Sequence, residues 1–181
     1  AIDLAQEIVE ITPATLNKVF FADNGSSAVE AALKMSFHYH QQTGHTGKTR
    51  FAAVTDAYHG ETLGALAVGD LDLYSQIYRP LLMNTFKAAG PDCYRCPYER
   101  TYPECDVFCV KMMGKHIENG MDGQPIAMIM ESMQASGGMI NFPKAYHQAI
   151  RAMCDRYDML LIWDEVQTGF GRMGTMFASE L

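Results

Sequence analysis

The sequence lacks the features that mark several classes of protein. No apolar run reaches the roughly 18 to 20 residues that a membrane-spanning helix requires. The first residues show no basic segment followed by an apolar one, as a signal peptide would. Basic residues are scarce: 14 Lys and Arg against 21 Asp and Glu give a formal net charge of -7, which opposes nucleic-acid binding. We therefore expect a soluble cytoplasmic protein with neither a membrane nor a nucleic acid as partner.

Internal repeats and low-complexity tracts are also absent. The composition, 48% apolar and 19% charged over 181 residues, is sufficient for one hydrophobic core. Leu4, Ile8 and Ile11 have helical spacing from the very start, and no stop signal precedes Leu181. We therefore expect residues 1–181 to be part of one domain, truncated at both ends.

Short apolar runs alternate with helical patterns along the chain. The predicted strands are residues 19–22, 50–55, 126–130 and 159–163, and predicted helices follow the first two and precede the last. Such alternation predicts an open α/β sheet that is mainly parallel, with ligands at the carboxyl ends of its strands.

The helix after the first predicted strand has the clearest pattern. Ser27 and Glu30 have the spacing of a capping box. One helical face contains Val29, Leu33, Phe37 and His40. Residues 23–27 (DNGSS) place backbone amides, hydroxyls and a helix N-terminus at the end of that strand. This arrangement favours an anion such as phosphate, although a plain capped helix has the same residues.

Asp164 directly follows an apolar strand. A carboxylate there is costly to bury unless it meets a cation or a donor, so the residue is a functional candidate. A protonated pyridine nitrogen is one such partner, and protonation makes the ring an electron sink. The alternative is an acid at the sheet edge that faces water.

A P-loop ATPase would also use Asp164, as a magnesium ligand. Residues 44–49 (GHTGKT) resemble a phosphate loop, but Gln42 stands where the first glycine belongs. The segment also leads from a helix into a strand, which reverses the required order. We therefore reject this function.

Cysteines cluster in a long irregular stretch, residues 90–109, with two residues between Cys93 and Cys96 and three between Cys105 and Cys109. They could bind zinc or an iron–sulfur cluster. We expect packing of small thiols instead, and therefore no metal.

Three segments, each next to the end of a predicted strand, together resemble class III aminotransferases, which depend on pyridoxal 5'-phosphate. They are residues 23–34 (DNGSSAVEAALK), 58–65 (YHGETLGA) and 164–172 (DEVQTGFGR). The resemblance covers nearly the whole chain. It implies part of the large domain of a fold-type I transferase, with helices on both faces of the sheet.

The resemblance also implies roles for single residues. Gly25 and Ser26 would hold the cofactor phosphate. Tyr58 would stack on the pyridine ring and face the substrate, Asp164 would pair with the ring nitrogen, and Gln167 would lie near the phenolic oxygen. Glu131, which lies outside the three segments, matches a family glutamate near the substrate pocket.

Several sequence features indicate which substrate the family member would use. Residues 20–36 and 58–70 are most similar to the aminotransferases of biotin synthesis, which move an amino group from S-adenosylmethionine to 8-amino-7-oxononanoate. Gln167 is more typical of the ω-amino acid:pyruvate type, which is the alternative. Ser132 stands where the family usually has Pro, and residues 134–138 vary the family's Gln-Gly-x-Gly-Gly pattern.

One family residue has no match. The family's Schiff-base lysine follows the aspartate by roughly 30 residues, and the 17 residues after Asp164 contain no lysine. We therefore expect the intact enzyme, a homodimer acting on a small-molecule amino donor and a keto acceptor, to be active and this chain alone to be inactive. The remaining alternative is a non-catalytic remnant that binds a cofactor or a metal.

Overall fold

The structure, a computed structural model, describes residues 1–119 and 123–180. Its helices are α1 (Ile2–Ile11), α2 (Gly25–Gln42), α3 (Leu63–Val68), α4 (Asp72–Ser75), α5 (Phe108–Glu118) and α6 (Lys144–Arg156). Its strands are β1 (Lys48–Val54), β2 (Phe86–Ala88), β3 (Gln124–Glu131), β4 (Met133–Gln134), β5 (Ile140–Asn141) and β6 (Leu160–Asp164). No helix of the described residues is long and apolar enough to cross a membrane.

The main sheet has four strands in the order β2-β1-β3-β6, and every neighbouring pair is parallel. The chain runs from β1 to β2 on one side and places β3 on the other side of β1. The direction of winding therefore reverses between β1 and β3. In open α/β sheets, such a reversal opens a crevice at the carboxyl ends of the strands, where ligands bind.

Helices cover both faces of this sheet, because alternate side chains of each strand point to opposite faces. Ala52 and Met128 pack with α5 and α6 in one hydrophobic cluster. Phe51 and Ile129 pack with α2 and α3 in the other. The expected α/β fold, a mainly parallel sheet with helices on both faces, is confirmed.

The strand predicted at residues 19–22 was wrong. The structure has no strand there, and the side chain of Phe20 is 65% exposed. A strand requires a neighbour that accepts and donates backbone hydrogen bonds, and no strand of the described residues pairs with this segment. An apolar aromatic run predicts the tendency to pair, but the partner is a property of the tertiary structure.

The predicted capping box was also wrong. The N-cap of α2 is Asn24, whose side-chain oxygen accepts a hydrogen bond from the backbone N–H of Ser27 at 2.9 Å. Glu30 instead reaches a different element and accepts from the backbone N–H of Gly64 at 2.7 Å. Of the predicted buried face, Val29, Leu33 and His40 are buried, whereas Phe37 is exposed.

Several short elements were not predicted. They are α4, a 3₁₀ helix at Gln76–Leu81, another at Ala178–Glu180, β2 and the antiparallel pair formed by β4 and β5. The longer helix α5 was not predicted either. The cysteine-rich segment is irregular as predicted, up to residue 107. Because α5 begins at Phe108, Cys109 lies in the first turn of a helix.

Candidate functional site

A cavity of about 300 Å³ opens at the carboxyl ends of β1, β3 and β6. It lies next to the reversal in strand order, where a crevice is expected. Its volume is at the lower end of the range for small-molecule sites. The residues lining it are Asn24, Gly25, Ser26, Tyr58, His59, Gly60, Glu131, Met133, Asp164, Val166, Gln167 and Thr168.

The N-terminus of α2 forms one wall of the cavity. The helix has 18 residues, so its first turn presents unpaired N–H groups and the positive end of a helix dipole. The Ser26 hydroxyl accepts a hydrogen bond from the backbone N–H of Glu61 at 3.1 Å, which ties the helix to the loop after β1. This wall is suited to an anionic group such as phosphate.

Gly60 allows this close contact between the loop and the helix. Its φ is +118°, and a Cβ at this position would lie 2.1 Å from Ser26 Oγ. Only glycine combines that backbone conformation with that approach.

Asp164, the last residue of β6, has a side chain that is only 7% exposed. Both of its oxygens have partners. Oδ2 accepts a hydrogen bond from Nδ1 of the buried His59 at 2.7 Å, and Oδ1 accepts one from the backbone N–H of Val166 at 3.0 Å. The carboxylate is therefore fixed in direction, and the alternative of an acid that faces water is wrong.

Glu131 ends the neighbouring strand and is paired in register with Asp164. Its side chain is buried, at 5% exposure, and among the described residues its Oε2 has no hydrogen-bond partner. Burial, and next the charge of Asp164, raises the pKa of Glu131 to about 8, while the backbone N–H groups of Tyr58 and Ala135 partly oppose the shift. A carboxyl group in this state is able to donate a hydrogen bond near neutral pH.

Tyr58 and Gln167 complete the polar lining. The Tyr58 hydroxyl donates to Glu61 Oε1 at 3.1 Å, and its ring lies 5.1 Å from that of Tyr74. Burial, followed by the hydrogen bond to Glu61, raises the pKa of Tyr58. Gln167 is exposed at the mouth of the cavity. An aromatic ring and an amide are thus placed around the same space.

Glu165 organises the segment that carries Gln167. Its carboxylate accepts hydrogen bonds from the Thr168 hydroxyl at 2.8 Å and from the backbone N–H groups of Ala178 and Ser179 at 3.0 and 2.7 Å. The segment after β6 is therefore folded back on itself.

The structure brings together all six residues that were singled out for the cofactor and substrate: Gly25, Ser26, Tyr58, Glu131, Asp164 and Gln167. It also adds His59, which was quoted within a motif but given no role. The signal available in the sequence was its position beside Tyr58, directly after a strand end.

Lys48 and Asp164, the two residues that an ATPase would require together, lie at opposite ends of the sheet. Lys48 begins β1, whereas Asp164 ends β6, and all four strands are parallel. The Lys48 ammonium contacts Asp158 at 3.1 Å. This geometry agrees with the rejection of a phosphate loop.

The cavity fits pyridoxal phosphate on three independent counts. An anion site forms one wall, a buried and oriented carboxylate forms another, and the aromatic side chain of Tyr58, in the loop after β1, lines the cavity as well. The buried Glu131 Oε2, without a partner among the described residues, points to a ligand as well.

Fold and site together define a transferase domain of the pyridoxal-phosphate type. The model of the family "Aminotransferase class-III" matches residues 1–181. The chain therefore belongs to the class III aminotransferases.

Several named proteins are similar to this chain over nearly its whole length. Adenosylmethionine-8-amino-7-oxononanoate aminotransferases are 44% identical in Geobacter sulfurreducens and 42% identical in Aquifex aeolicus, over 98% and 99% of this chain. The solved structure of the Methanocaldococcus jannaschii enzyme of that name is 37% identical over 99% of this chain, with a TM-score of 0.84. A PLP-bound amine transaminase from an uncultivated Pseudomonas species is 35% identical over 99%, with a TM-score of 0.92.

The chain spans only part of these proteins. It covers 40% of the length of each of the two curated relatives, and 38% and 41% of the two solved chains.

Proposed function

We propose that this chain is the cofactor-binding part of an aminotransferase of biotin synthesis, which moves an amino group from S-adenosylmethionine to 8-amino-7-oxononanoate. The observation that carries the proposal is the cavity at the strand ends, where an anion site and the buried Asp164 carboxylate face one space. The similarity to two enzymes named for this reaction supports the choice of substrates.

Each wall of the cavity has its own task in the proposal. Gly25 and Ser26 hold the cofactor phosphate at the N-terminus of α2, and Tyr58 stacks on the pyridine ring. Asp164 pairs with the ring nitrogen, and His59 positions Asp164. Gln167 lies on the side of the phenolic oxygen.

Pyridoxal phosphate, when bound, supplies an electron sink for the substrate carbon that carries the nitrogen. The Asp164 carboxylate is buried and is oriented by hydrogen bonds from His59 and the backbone of Val166. Its negative charge would therefore stabilise a positive charge on the ring nitrogen. Glu131 holds a proton near neutral pH and offers it as a hydrogen-bond donor on the substrate side.

We further propose that the active unit is a cytoplasmic homodimer. The large apolar side chains that this chain leaves exposed, among them Ile2, Phe20, Leu73 and Ile77, support a subunit interface.

A second candidate is a class III transaminase of the ω-amino acid:pyruvate type. Gln167 favours it, and so does the TM-score of 0.92 with an amine transaminase. The two candidates share the cofactor site and differ only in the amino donor and acceptor.

The cofactor site is tested by isothermal titration of pyridoxamine 5'-phosphate into the 181-residue chain. This ligand is preferable to the aldehyde because it forms no Schiff base with surface lysines. We expect saturable binding at a stoichiometry of one, weakened by Asp164→Asn and by Ser26→Ala. Asp158→Asn is the matched control, since Asp158 is a carboxylate near the opposite end of the sheet. The absence of saturable binding would reject the site.

The substrates are tested on the longest encoded polypeptide that contains these residues. S-adenosylmethionine with 8-amino-7-oxononanoate is compared with an ω-amino acid and pyruvate. Higher kcat/KM for the first pair supports the biotin reaction, and the reverse supports the second candidate. Activity with neither pair, despite cofactor binding, indicates the non-catalytic remnant.

A further inference from the structure

The four cysteines of residues 90–109 line one cavity, away from the cofactor site. All of them line a second cavity of about 20 Å³, which shares no lining residue with the first. This volume is close to the space that one water-sized sphere occupies. We call this set of side chains the cysteine cluster: Cys93, Cys96, Cys105 and Cys109.

The chain around the cysteine cluster is poorly supported by regular structure. No helix or strand lies between Ala88 and Phe108, a long stretch for an irregular connection. All four thiols are free, so no disulfide closes it. A segment of this kind requires some other local link if it is to keep one conformation.

We propose that the cysteine cluster binds one structural zinc ion. The spacing pairs Cys93 with Cys96 and Cys105 with Cys109, and two such short-spaced pairs are the usual source of a tetrahedral thiolate site. A cavity sized for a single sphere favours one ion over an iron–sulfur cluster. The sequence alone favoured simple packing of thiols, and it is their convergence on one cavity that changes the inference.

The surroundings suit metal-bound thiolates. Asp92 Oδ1 accepts from the backbone N–H groups of Tyr94 and Arg95 at 3.1 and 2.9 Å, which turns the chain tightly around Cys93. Cys109 lies in the first turn of α5, where burial raises the pKa of its thiol to about 11 and the backbone N–H groups of Val110 and Cys109 oppose that shift.

Charge balance is consistent with zinc. The four thiols give up their protons to the solvent on binding, so Zn²⁺ with four thiolates carries a net charge of -2. Arg100 lines the cavity, with its guanidinium carbon 3.9 Å from the centre of the Phe108 ring. Its positive charge is placed to offset part of this negative charge.

Another set of potential metal ligands lies beside a lysine. Within residues 1–119 and 123–180, one set of side chains has all its ligand atoms within 4.8 Å of one another, namely His40, His45 and Asp158. The buried Lys48 ammonium already lies 3.1 Å from Asp158, where a metal ion would be repelled. No three thiols of the cysteine cluster have their sulfur atoms within 4.8 Å of one another, so zinc binding requires at least two of these side chains to move toward the centre of the cavity.

The first test is elemental analysis of the 181-residue chain, loaded with zinc chloride and desalted. We expect one zinc per chain. Cys93→Ser and Cys105→Ser should each abolish stoichiometric zinc, and Cys154→Ser should retain it, because Cys154 is a buried thiol on α6 outside the cluster. Absence of zinc from the unaltered chain, or iron with acid-labile sulfide in its place, would overturn the proposal.

Two further measurements do not depend on the folding of any variant. Cobalt(II) added to the metal-free chain should give the intense thiolate charge-transfer and visible bands of a tetrahedral site, whereas octahedral spectra would contradict it. Cys93 is exposed, so it should react quickly with a disulfide reagent in the metal-free chain and slowly after zinc is added. Equal rates in both states would overturn the proposal, whatever the outcome at the cofactor site.

Discussion

The imidazole of His59 and the carboxylate of Asp164 are joined by a hydrogen bond of 2.7 Å, although 105 residues separate them in the sequence. Both side chains are buried, with 0% and 7% exposure. We expect His59→Leu to weaken the binding of pyridoxamine 5'-phosphate about tenfold or more. The reason is that a lost hydrogen bond to a charged group costs roughly 1.5–3 kcal/mol, and about 1.4 kcal/mol is tenfold.

Calorimetry measures this effect. His59→Asn retains a donor and should recover part of the affinity, which separates a positioning role from general loss of structure. His45→Asn is the matched control, because His45 and Asp158 form a similar pair at 2.9 Å, away from the cavity. An unchanged affinity in His59→Leu would refute the positioning role.

Glu131 should make stability depend on pH. Its pKa is raised from 4.5 to about 8, so the folded chain binds a proton that the unfolded chain releases in this interval. Stability from this group is therefore full at low pH and falls as pH rises from about 4.5 to 8.

Glu131→Gln keeps the shape and removes the titration. We expect the variant to be more stable than the unaltered chain at pH 8 by at least about 2 kcal/mol, since each pKa unit represents about 1.4 kcal/mol. The difference should shrink towards pH 5. Urea unfolding at several pH values measures it, with the exposed Glu10→Gln as control. Parallel pH profiles for the two chains would show that Glu131 is not buried as described.

Gly60 should tolerate no side chain. Gly60→Ala combines a φ of +118° with a Cβ only 2.1 Å from Ser26 Oγ. We expect a loss of at least about 2 kcal/mol in the free energy of unfolding, because backbone strain and overpacking add. Gly171→Ala is the matched control: its φ is +85°, but nothing lies within 4 Å, so only about 1 kcal/mol of backbone strain is expected. Equal losses would mean that the contact with Ser26 is unimportant.

The exposed apolar side chains should make the isolated 181-residue chain associate. Leu73 and Ile77 are 85% and 86% exposed, one helical turn apart. We expect size-exclusion chromatography to show concentration-dependent association, reduced when both are changed to Ser. Met139→Asn, which removes one exposed apolar side chain elsewhere, should have little effect. A monodisperse monomer at all concentrations would contradict this prediction.

Much of the fold was predictable because burial leaves a local signature. The apolar runs that became β1, β3 and β6 were found to within two residues at each end, since strands buried on both faces are nearly continuous in apolar residues. β2 was missed because its three residues are too few to form a pattern. Residues 19–22 were assigned wrongly because pairing depends on a neighbour that no local pattern reveals.

The sequence by itself determined the class of the protein, the order of the main elements and the polar residues at the strand ends. Only the tertiary structure decided which of those residues meet. The hydrogen bond between His59 and Asp164, and the effect of Asp164 on the pKa of Glu131, each join residues that lie far apart in the chain. The four cysteines are close in the sequence, but only the folded path of their irregular segment brings them to one cavity. Burial and pairing of polar groups arise from the packing of several elements together, and no short stretch of sequence contains that information.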